Sequence, residues 1–296
     1  MMQGNGRKHE FQLEGHKIVA LAYNTHKTQT PVIFIHGITS SVNSWEIGQI
    51  PLLADYPWYS LSLPGHYPAA FPQDFQAATL TAELITRLLL EAIRSLTGGQ
   101  PAILIGHSTG GFAVLAVAAQ APELVKGVCS ISGFAHGRWT GVLGLLQSLA
   151  RSGGAGQALF RFNFAMLARS EWYYRRALGM YAYDRPAVYQ HPSLEPYLAL
   201  NYPDTKQLDA LAMQHWFQRM PDVDITAWLP QITAPTLTMF GDHDPIVPPA
   251  QGHLIAERVS GSEKQVLAGV GHLLTSERTA VYYAVMTDWL QKVNGR

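Results

Sequence analysis

The sequence predicts a three-layer α/β fold: an eight-stranded, mostly parallel sheet, helices on both of its faces, and a helical cap inserted late in the chain. Three observations lead there. Short continuous apolar runs alternate with longer runs of helical spacing, the pattern of strand–helix units in a parallel sheet. At one junction Gly106-His107-Ser108-Thr109-Gly110 sits directly between a strand-like and a helix-like run. Between Phe134 and Pro230 the rhythm breaks, aromatic residues accumulate and no strand-like run occurs.

The elements follow in order. Phe11 to Tyr23 alternates around Gly15 and reads as an opening hairpin. Pro31 to Ile35 is continuously apolar, as a strand buried on both faces requires. Trp58 to Leu63 is a shorter strand, ended by Pro64-Gly65. From Leu80 to Leu96 the apolar residues Leu84, Ile85, Leu88, Leu89, Ala92 and Leu96 share one helical face, with Glu83, Arg87, Glu91 and Arg94 opposite. Gly98-Gly99 stops that helix. Pro101 to Ile105 is a strand and Gly111 to Ala119 a buried helix. Val125 to Ser132, Pro235 to Phe240 and Lys264 to Ala268 complete the strands, and Ser276 to Val293 is a closing amphipathic helix. The main unit is thus expected at 1–133 and 231–296, and the cap at 134–230, with Ser152 to Gly156 as a glycine-rich connection inside it.

Composition narrows the function. The 296 residues are 47% hydrophobic, enough for a large core. Lys+Arg 21 balances Asp+Glu 21, so no basic stripe points to nucleic acid. Cys129 is the single cysteine and stands in an apolar run, so no intrachain disulfide forms and a reducing compartment is favoured. Met1 to Glu14 has no apolar core of a secretory leader, and the expected location is cytoplasmic. No uninterrupted apolar stretch reaches the roughly 18 residues of a spanning helix. No Cys pair and no H-E-x-x-H spacing occurs, so neither a metal nor another cofactor is expected. Nothing in the sequence sets an oligomeric state.

The chemistry starts at Ser108. A tight strand-to-helix turn holds the serine hydroxyl at the carboxyl edge of the sheet, with amides of the helix N-terminus beside it. The alternative is a glycine-rich turn with a capping hydroxyl. A serine needs a base, and the base an orienting carboxylate. Of the 12 histidines, His272 follows the last strand in Gly269-Val270-Gly271-His272. Asp242 and Asp244 both stand just after the penultimate strand. The order Ser, Asp, His differs from the chymotrypsin and subtilisin orders. All three positions follow strands, where a parallel sheet places its sites. Backbone amides stabilise a developing oxyanion without moving. Here the expected donors are Thr109, after the serine, and Ile38, in the loop His36-Gly37-Ile38-Thr39. His36 is expected to brace that loop.

With these pieces in place the chain resembles the α/β-hydrolase superfamily, in its cap-containing serine hydrolase branch. The matching motifs are His36-Gly37, Leu63-Pro64-Gly65-His66, Gly106 to Gly110, Gly241 to Pro248 and Gly271-His272. The family's acid loop runs G-x-x-D-x-x-x-P, which implies Asp244 as the acid and leaves Asp242 a bracing residue. Ser62 and Tyr67 stand where the family has Asp and a second Gly, a departure that touches the loop and not the triad. Relatives that open epoxides or displace halide carry Asp at the elbow, so Ser108 implies acyl transfer to water through an acyl-enzyme. The expected partner is a small apolar ester or thioester. A carbon–carbon bond hydrolase, or an acyltransferase or lyase on the same triad, is the alternative, and a non-enzymatic receptor a more distant one.

The cap is expected to shape an apolar pocket. Pocket candidates are His36, Gly37, Trp45, His107 and, within the cap, Trp139. Thr140 to Ala150 carries no charge and reads as a cap helix packed on the main unit, with peripheral contact to lipid as the other use of such a face.

Overall fold

A computed structural model describes residues 6–47 and 53–295. Glu14 and Gly15 both adopt left-handed backbone, with φ of 49° and 79°, and close a hairpin between β1 (Arg7–Leu13) and β2 (His16–Tyr23). Six further strands follow: β3 (Val32–Ile35), β4 (Trp58–Leu61), β5 (Ala102–His107), β6 (Val125–Ile131), β7 (Thr236–Gly241) and β8 (Glu263–Leu267). They form one eight-stranded sheet in the order β1-β2-β4-β3-β5-β6-β7-β8. β1 and β2, and β2 and β4, pair antiparallel, and every other pair is parallel. Strand order turns back at β3, which has β4 on one side and β5 on the other. Connections diverge at such a point and open a crevice at the carboxyl ends of the strands.

Alternate side chains of the central strands supply two separate cores. Ile33, Ile35 and Leu104 pack with Ile85 and Leu89 of α1 (Ala82–Thr97) and with Phe112 and Leu115 of α2 (Thr109–Gln120). Val32, Phe34, Ile103 and Ile105 pack on the other face with Tyr282, Met286 and Trp289, which belong to a helix named below. Double coverage is why β3 and β5 read as unbroken apolar runs. Thr81 caps α1 by accepting from the Leu84 amide at 3.2 Å, and Gly98 ends it with a left-handed φ of 61°. The helix expected from Gly111 begins at Thr109 instead, because the turn after β5 is so short.

Six helices lie between β6 and β7: α3 (Gly141–Arg151), α4 (Gly154–Arg169), α5 (Glu171–Leu178), α6 (Arg185–Tyr189), α7 (Leu194–Thr205) and α8 (Ala210–Arg219). Their entry and exit are stapled together. His136 and Asp224 form an isolated antiparallel bridge, flanked by hydrogen bonds from Gly137 N to Val223 O at 3.0 Å and from Ile225 N to Ala135 O at 2.9 Å. The glycine-rich stretch at Ser152 is a tight corner rather than a loop: α4 already begins at Gly154. After β7 the chain adds α9 (Pro249–Arg258), α10 (Leu274–Glu277) and α11 (Thr279–Asn294), the helix that carries Tyr282, Met286 and Trp289. The sequence pattern does not single out α9, because it buries only Gln251, Gly252 and Ile255.

The turn from β5 to α2 fixes the closest packing of the sheet. A Cβ on Gly106 would overlap the backbone carbonyl of Gly110, and one on Gly110 would overlap that of Ile35 at the end of β3. Substituting Gly106→Ala is therefore expected to destabilise the protein by about 3 kcal/mol, the upper range for overpacking. Urea denaturation of the two proteins measures it, and a difference near zero would mean the turn relaxes.

Candidate active site

Two side chains that meet at the carboxyl edge of the sheet come from the turns after β7 and β8. Asp244 sits in Gly241-Asp242-His243-Asp244-Pro245, and its Oδ1 accepts from the Ile246 and Val247 amides at 2.8 and 2.9 Å. That Asx-type turn fixes the carboxylate before any partner arrives. Its Oδ2 lies 2.6 Å from His272 Nδ1, and both side chains are 1% exposed. A carboxylate only accepts, so Nδ1 carries the proton and the neutral ring offers Nε2 as the acceptor. His272 Nε2 is buried and has no protein partner among the described residues.

Asp242 does something else. It is 35% exposed in its side chain, pairs with His243 Nδ1 at 2.6 Å, and accepts from the Gly269 amide at 2.7 Å. The His243 hydrogen bond holds its carboxyl below the usual range. It braces the turn after β8 and does not touch His272.

Ser108 is 2% exposed and adopts φ 56° and ψ −117°, a conformation that non-glycine residues rarely hold. Its own amide donates to Ile131 O at 2.8 Å, which pins the turn to β6. Thr109 opens α2, so its amide is one of the unpaired first-turn donors at the positive end of the helix. The loop after β3 lies against the serine: a Cβ on Gly37 would be 3.1 Å from Ser108 Cβ. Thr39 next in that loop is left-handed, with φ 62°. Ser108, His272, Gly37 and Ile38 all line one cavity. A hydroxyl that shares a cavity with an imidazole oriented by a carboxylate can lose its proton to that ring as it attacks a carbonyl.

Three more histidines surround the site, and burial keeps each of them neutral. His36 is 1% exposed, and burial lowers its pKa to about 4. Its Nδ1 donates to Gly37 O at 2.8 Å and its Nε2 accepts from the Leu63 amide at 3.2 Å, tying the β3 loop to the strand after it. His66 packs edge-on against His36 and is held well below its usual range by burial and by that neighbour. His107 is lowered to about 4, by burial first and then by the neighbouring His272. Its Nε2 donates to the backbone carbonyl of His272 at 2.9 Å, linking the serine turn directly to the histidine turn.

The cavity has a volume of about 520 Å³, within the range of small-molecule sites. His36, Gly37, Trp45 and His107 line it, with Trp45 also packed on Phe34. Trp139 does not line it. Its ring is wedged edge-on between Phe134 and Phe217, and it belongs to the core under the helices. The walls come from the inserted helices, among them Leu143, Leu146, Leu149, Phe164 and Leu167. Leu145, Leu159, Phe162 and Met180 line the cavity yet are 46–61% exposed, so they form an apolar rim. In Thr140 to Ala150, Leu143 and Leu146 are buried while Leu145 faces outward.

Two site residues were not legible beforehand. Tyr181 lines the cavity, accepts the His272 amide on its carbonyl at 2.9 Å, and shares a side-chain hydrogen bond with Thr39; burial raises its hydroxyl pKa to about 12. Glu277 holds the turn around His272 by accepting from the Gly271 and Leu273 amides. Among the described residues no cluster of His, Cys, Asp or Glu could hold a metal, and no helix is long and apolar enough to cross a membrane.

Sheet order, serine turn and histidine–carboxylate pair together define the alpha/beta hydrolase fold. The model of that family matches residues 30–279, and the chain belongs to it. A pimeloyl-[acyl-carrier protein] methyl ester esterase of Neisseria meningitidis is 25% identical over 267 residues, covering 88% of this chain and 77% of the relative. Among solved structures, an enol-lactonase from Burkholderia xenovorans superposes with a TM-score of 0.75 at 17% identity, covering 95% of this chain and 99% of that one. A meta-cleavage product hydrolase from Pseudomonas fluorescens gives 0.68 at 16% identity, covering 97% and 98%. At such identities the structural matches speak for the fold alone.

Burial of neutral His36 predicts a pH dependence of stability. Its folded pKa of about 4 lies below the unfolded value, so the unfolded chain binds the proton first. The contribution is fully present above about pH 6.5 and is lost as pH falls toward 4. Between pH 7.5 and 5 it amounts to about 2 kcal/mol. Urea midpoints of wild type and His36→Asn at the two pH values measure it: the variant is expected to show the flatter dependence, and parallel curves would contradict the neutral ring.

Proposed function

We propose that the protein is a cofactor-independent serine hydrolase of carboxylic esters with an apolar acyl or alcohol portion. The observation that carries this is that Ser108 and His272, the latter hydrogen-bonded to Asp244, line one apolar cavity. Ser108 Oγ attacks the ester carbonyl while His272 Nε2 takes its proton. The oxyanion of the tetrahedral intermediate accepts from the Ile38 and Thr109 amides. His272 then returns the proton to the leaving alkoxide, and an acyl-Ser108 ester remains. Water attacks that ester by the same steps and releases the acid. Asp244 keeps the imidazole in the tautomer that can accept, and steadies it while it is cationic.

The helices at 134–230 act as the cap that selects the substrate. Their apolar walls suit an acyl chain, and the exposed rim of Leu145, Leu159, Phe162 and Met180 suits one that continues out of the cavity, or an ester presented at a lipid surface. The Neisseria relative, an esterase of an acyl methyl ester, supports the acyl-chain assignment. A thioester fits the same steps. Carbon–carbon bond cleavage uses the same residues, and product analysis separates the two.

A fluorophosphonate is expected to label Ser108 alone, with the adduct located by peptide mass spectrometry. Ser108→Ala should stay folded and lose roughly 10⁴-fold or more in kcat on p-nitrophenyl esters. Substantial residual turnover in that variant would remove the assignment.

The two acids of the loop give a second test. Asp244→Asn is expected to cost on the order of 10⁴ in kcat, and Asp242→Asn far less. The reverse ranking would transfer the role to Asp242.

A further inference from the structure

Glu277 is a buried carboxylate that the proposed chemistry leaves unused. It closes α10, is 3% exposed, and has no cationic partner among the described residues. A carboxylate so placed is costly unless its oxygens are filled. Four backbone amides fill them. Oε2 accepts from Gly271 at 2.9 Å, Tyr183 at 3.0 Å and Asp184 at 2.8 Å, and Oε1 accepts from Leu273 at 3.1 Å.

The choice of amides is what matters. Gly271 and Leu273 are the residues on either side of His272. Tyr183 and Asp184 belong to the loop between α5 and α6 of the inserted helices. The same two segments meet twice more: His272 N donates to Tyr181 O at 2.9 Å, and Arg278 bridges Asp184 Oδ2 at 3.0 Å and Gly269 O at 3.3 Å. Contact is close enough that a Cβ on Gly271 would overlap the Tyr183 amide.

We infer that Glu277 is a positioning residue for His272: its carboxylate gathers the amides on both sides of that histidine and docks the 181–184 loop of the cavity-forming insertion onto the same turn. This rests on the serine hydrolase reading. The His272–Asp244 contact at 2.6 Å leaves little slack, and a misplacement of about 1 Å costs on the order of 10²-fold in rate. An apolar side chain at 277 would leave four amides bare. A glutamine would keep the shape but turn an NH₂ donor toward N–H groups.

Glu277→Gln is compared with wild type, Ser108→Ala and Asp244→Asn. The readouts are kcat and KM on a short p-nitrophenyl ester and the far-downfield proton resonance of His272 Nδ1–H, assigned by its loss in Asp244→Asn. Glu277→Gln is expected to fold, to lose about 10- to 100-fold in kcat with KM within about threefold, and to lose or broaden that resonance. Wild-type kcat with an intact resonance in Glu277→Gln, while Ser108→Ala is inactive, overturns the positioning role and leaves the hydrolase reading standing. Turnover by Ser108→Ala fails the hydrolase reading, and the positioning role falls with it. Should Glu277→Gln not fold, hydrogen exchange on the wild-type protein decides. Protection of the Tyr183 and Asp184 amides matching that of Gly271 and Leu273 supports the link, and loop-like exchange at 183 and 184 overturns it.

Discussion

The absence of two side chains governs the molecule's active face. Gly106 and Gly110 let the chain reverse from β5 into α2 within so short a turn that Ser108 is forced to a left-handed φ of 56°. The same absence lets the start of α2 press against the end of β3, because a Cβ on Gly110 would collide with the Ile35 and His36 carbonyls. The loop from His36 to Thr39 is thereby brought beside the serine. Serine, helix N-terminus and neighbouring loop are three consequences of one packing contact. That contact falls where strand order reverses, so the crevice required by topology and the turn required by sterics coincide.

Around that contact the protein has arranged four histidines and, among the described residues, only one carboxylate that hydrogen-bonds any of their buried rings. His36, His66 and His107 lie in surroundings that favour the neutral ring; His36 and His107 each tie one loop to another, while His66 Nδ1 donates to Pro64 O within its own loop. Asp244 reaches only His272. In the proposed reaction a cation developing on His272 meets the carboxylate of Asp244 in direct contact, in a setting of low dielectric where that charge acts strongly. Had a neighbouring ring been protonated, its repulsion would oppose the same step. Keeping the braces neutral is part of how the site discriminates among otherwise identical side chains.

Much of this was legible because the signals are local. Gly106 to Gly110 states its turn in five residues, and the apolar runs at Val32 and Ile103 state double coverage. Asp242 and Asp244 are two residues apart and could be ranked only through resemblance. Geometry separates them by burial, since one faces solvent and His243 while the other is enclosed with His272. Trp139 misled because an aromatic in the insertion has the same sequence signature whether it faces a cavity or the core between Phe134 and Phe217. α9 escaped because it buries one short edge built on Gln251 and Gly252, which carry no apolar period. Glu277 escaped for a deeper reason. Its partners are backbone amides, up to 94 residues away, and backbone amides leave no trace in composition.

Division of labour follows from where the chain spends its order. The residues of the proposed chemistry stand at strand ends, where parallel pairing fixes each backbone to its neighbour. The cavity walls come from helices that the sheet does not hold directly, so they must be tied down by other means. The bridge of His136 with Asp224 fixes their two ends, and the 181–184 loop is hydrogen-bonded to the turn carrying His272. Between those ties, α3, α4 and the end of the α5 segment present Leu145, Leu159, Phe162 and Met180 outward at the cavity rim. Leaving such side chains in water has a cost that a closed apolar surface would avoid. A surface of this kind suits something apolar passing over it, and here it borders the cavity that Ser108 also lines. Changes on that rim would then alter which chain is admitted while leaving the turn geometry at Ser108 untouched, because no rim residue contributes to the contacts at Gly106, Gly110 or Gly271.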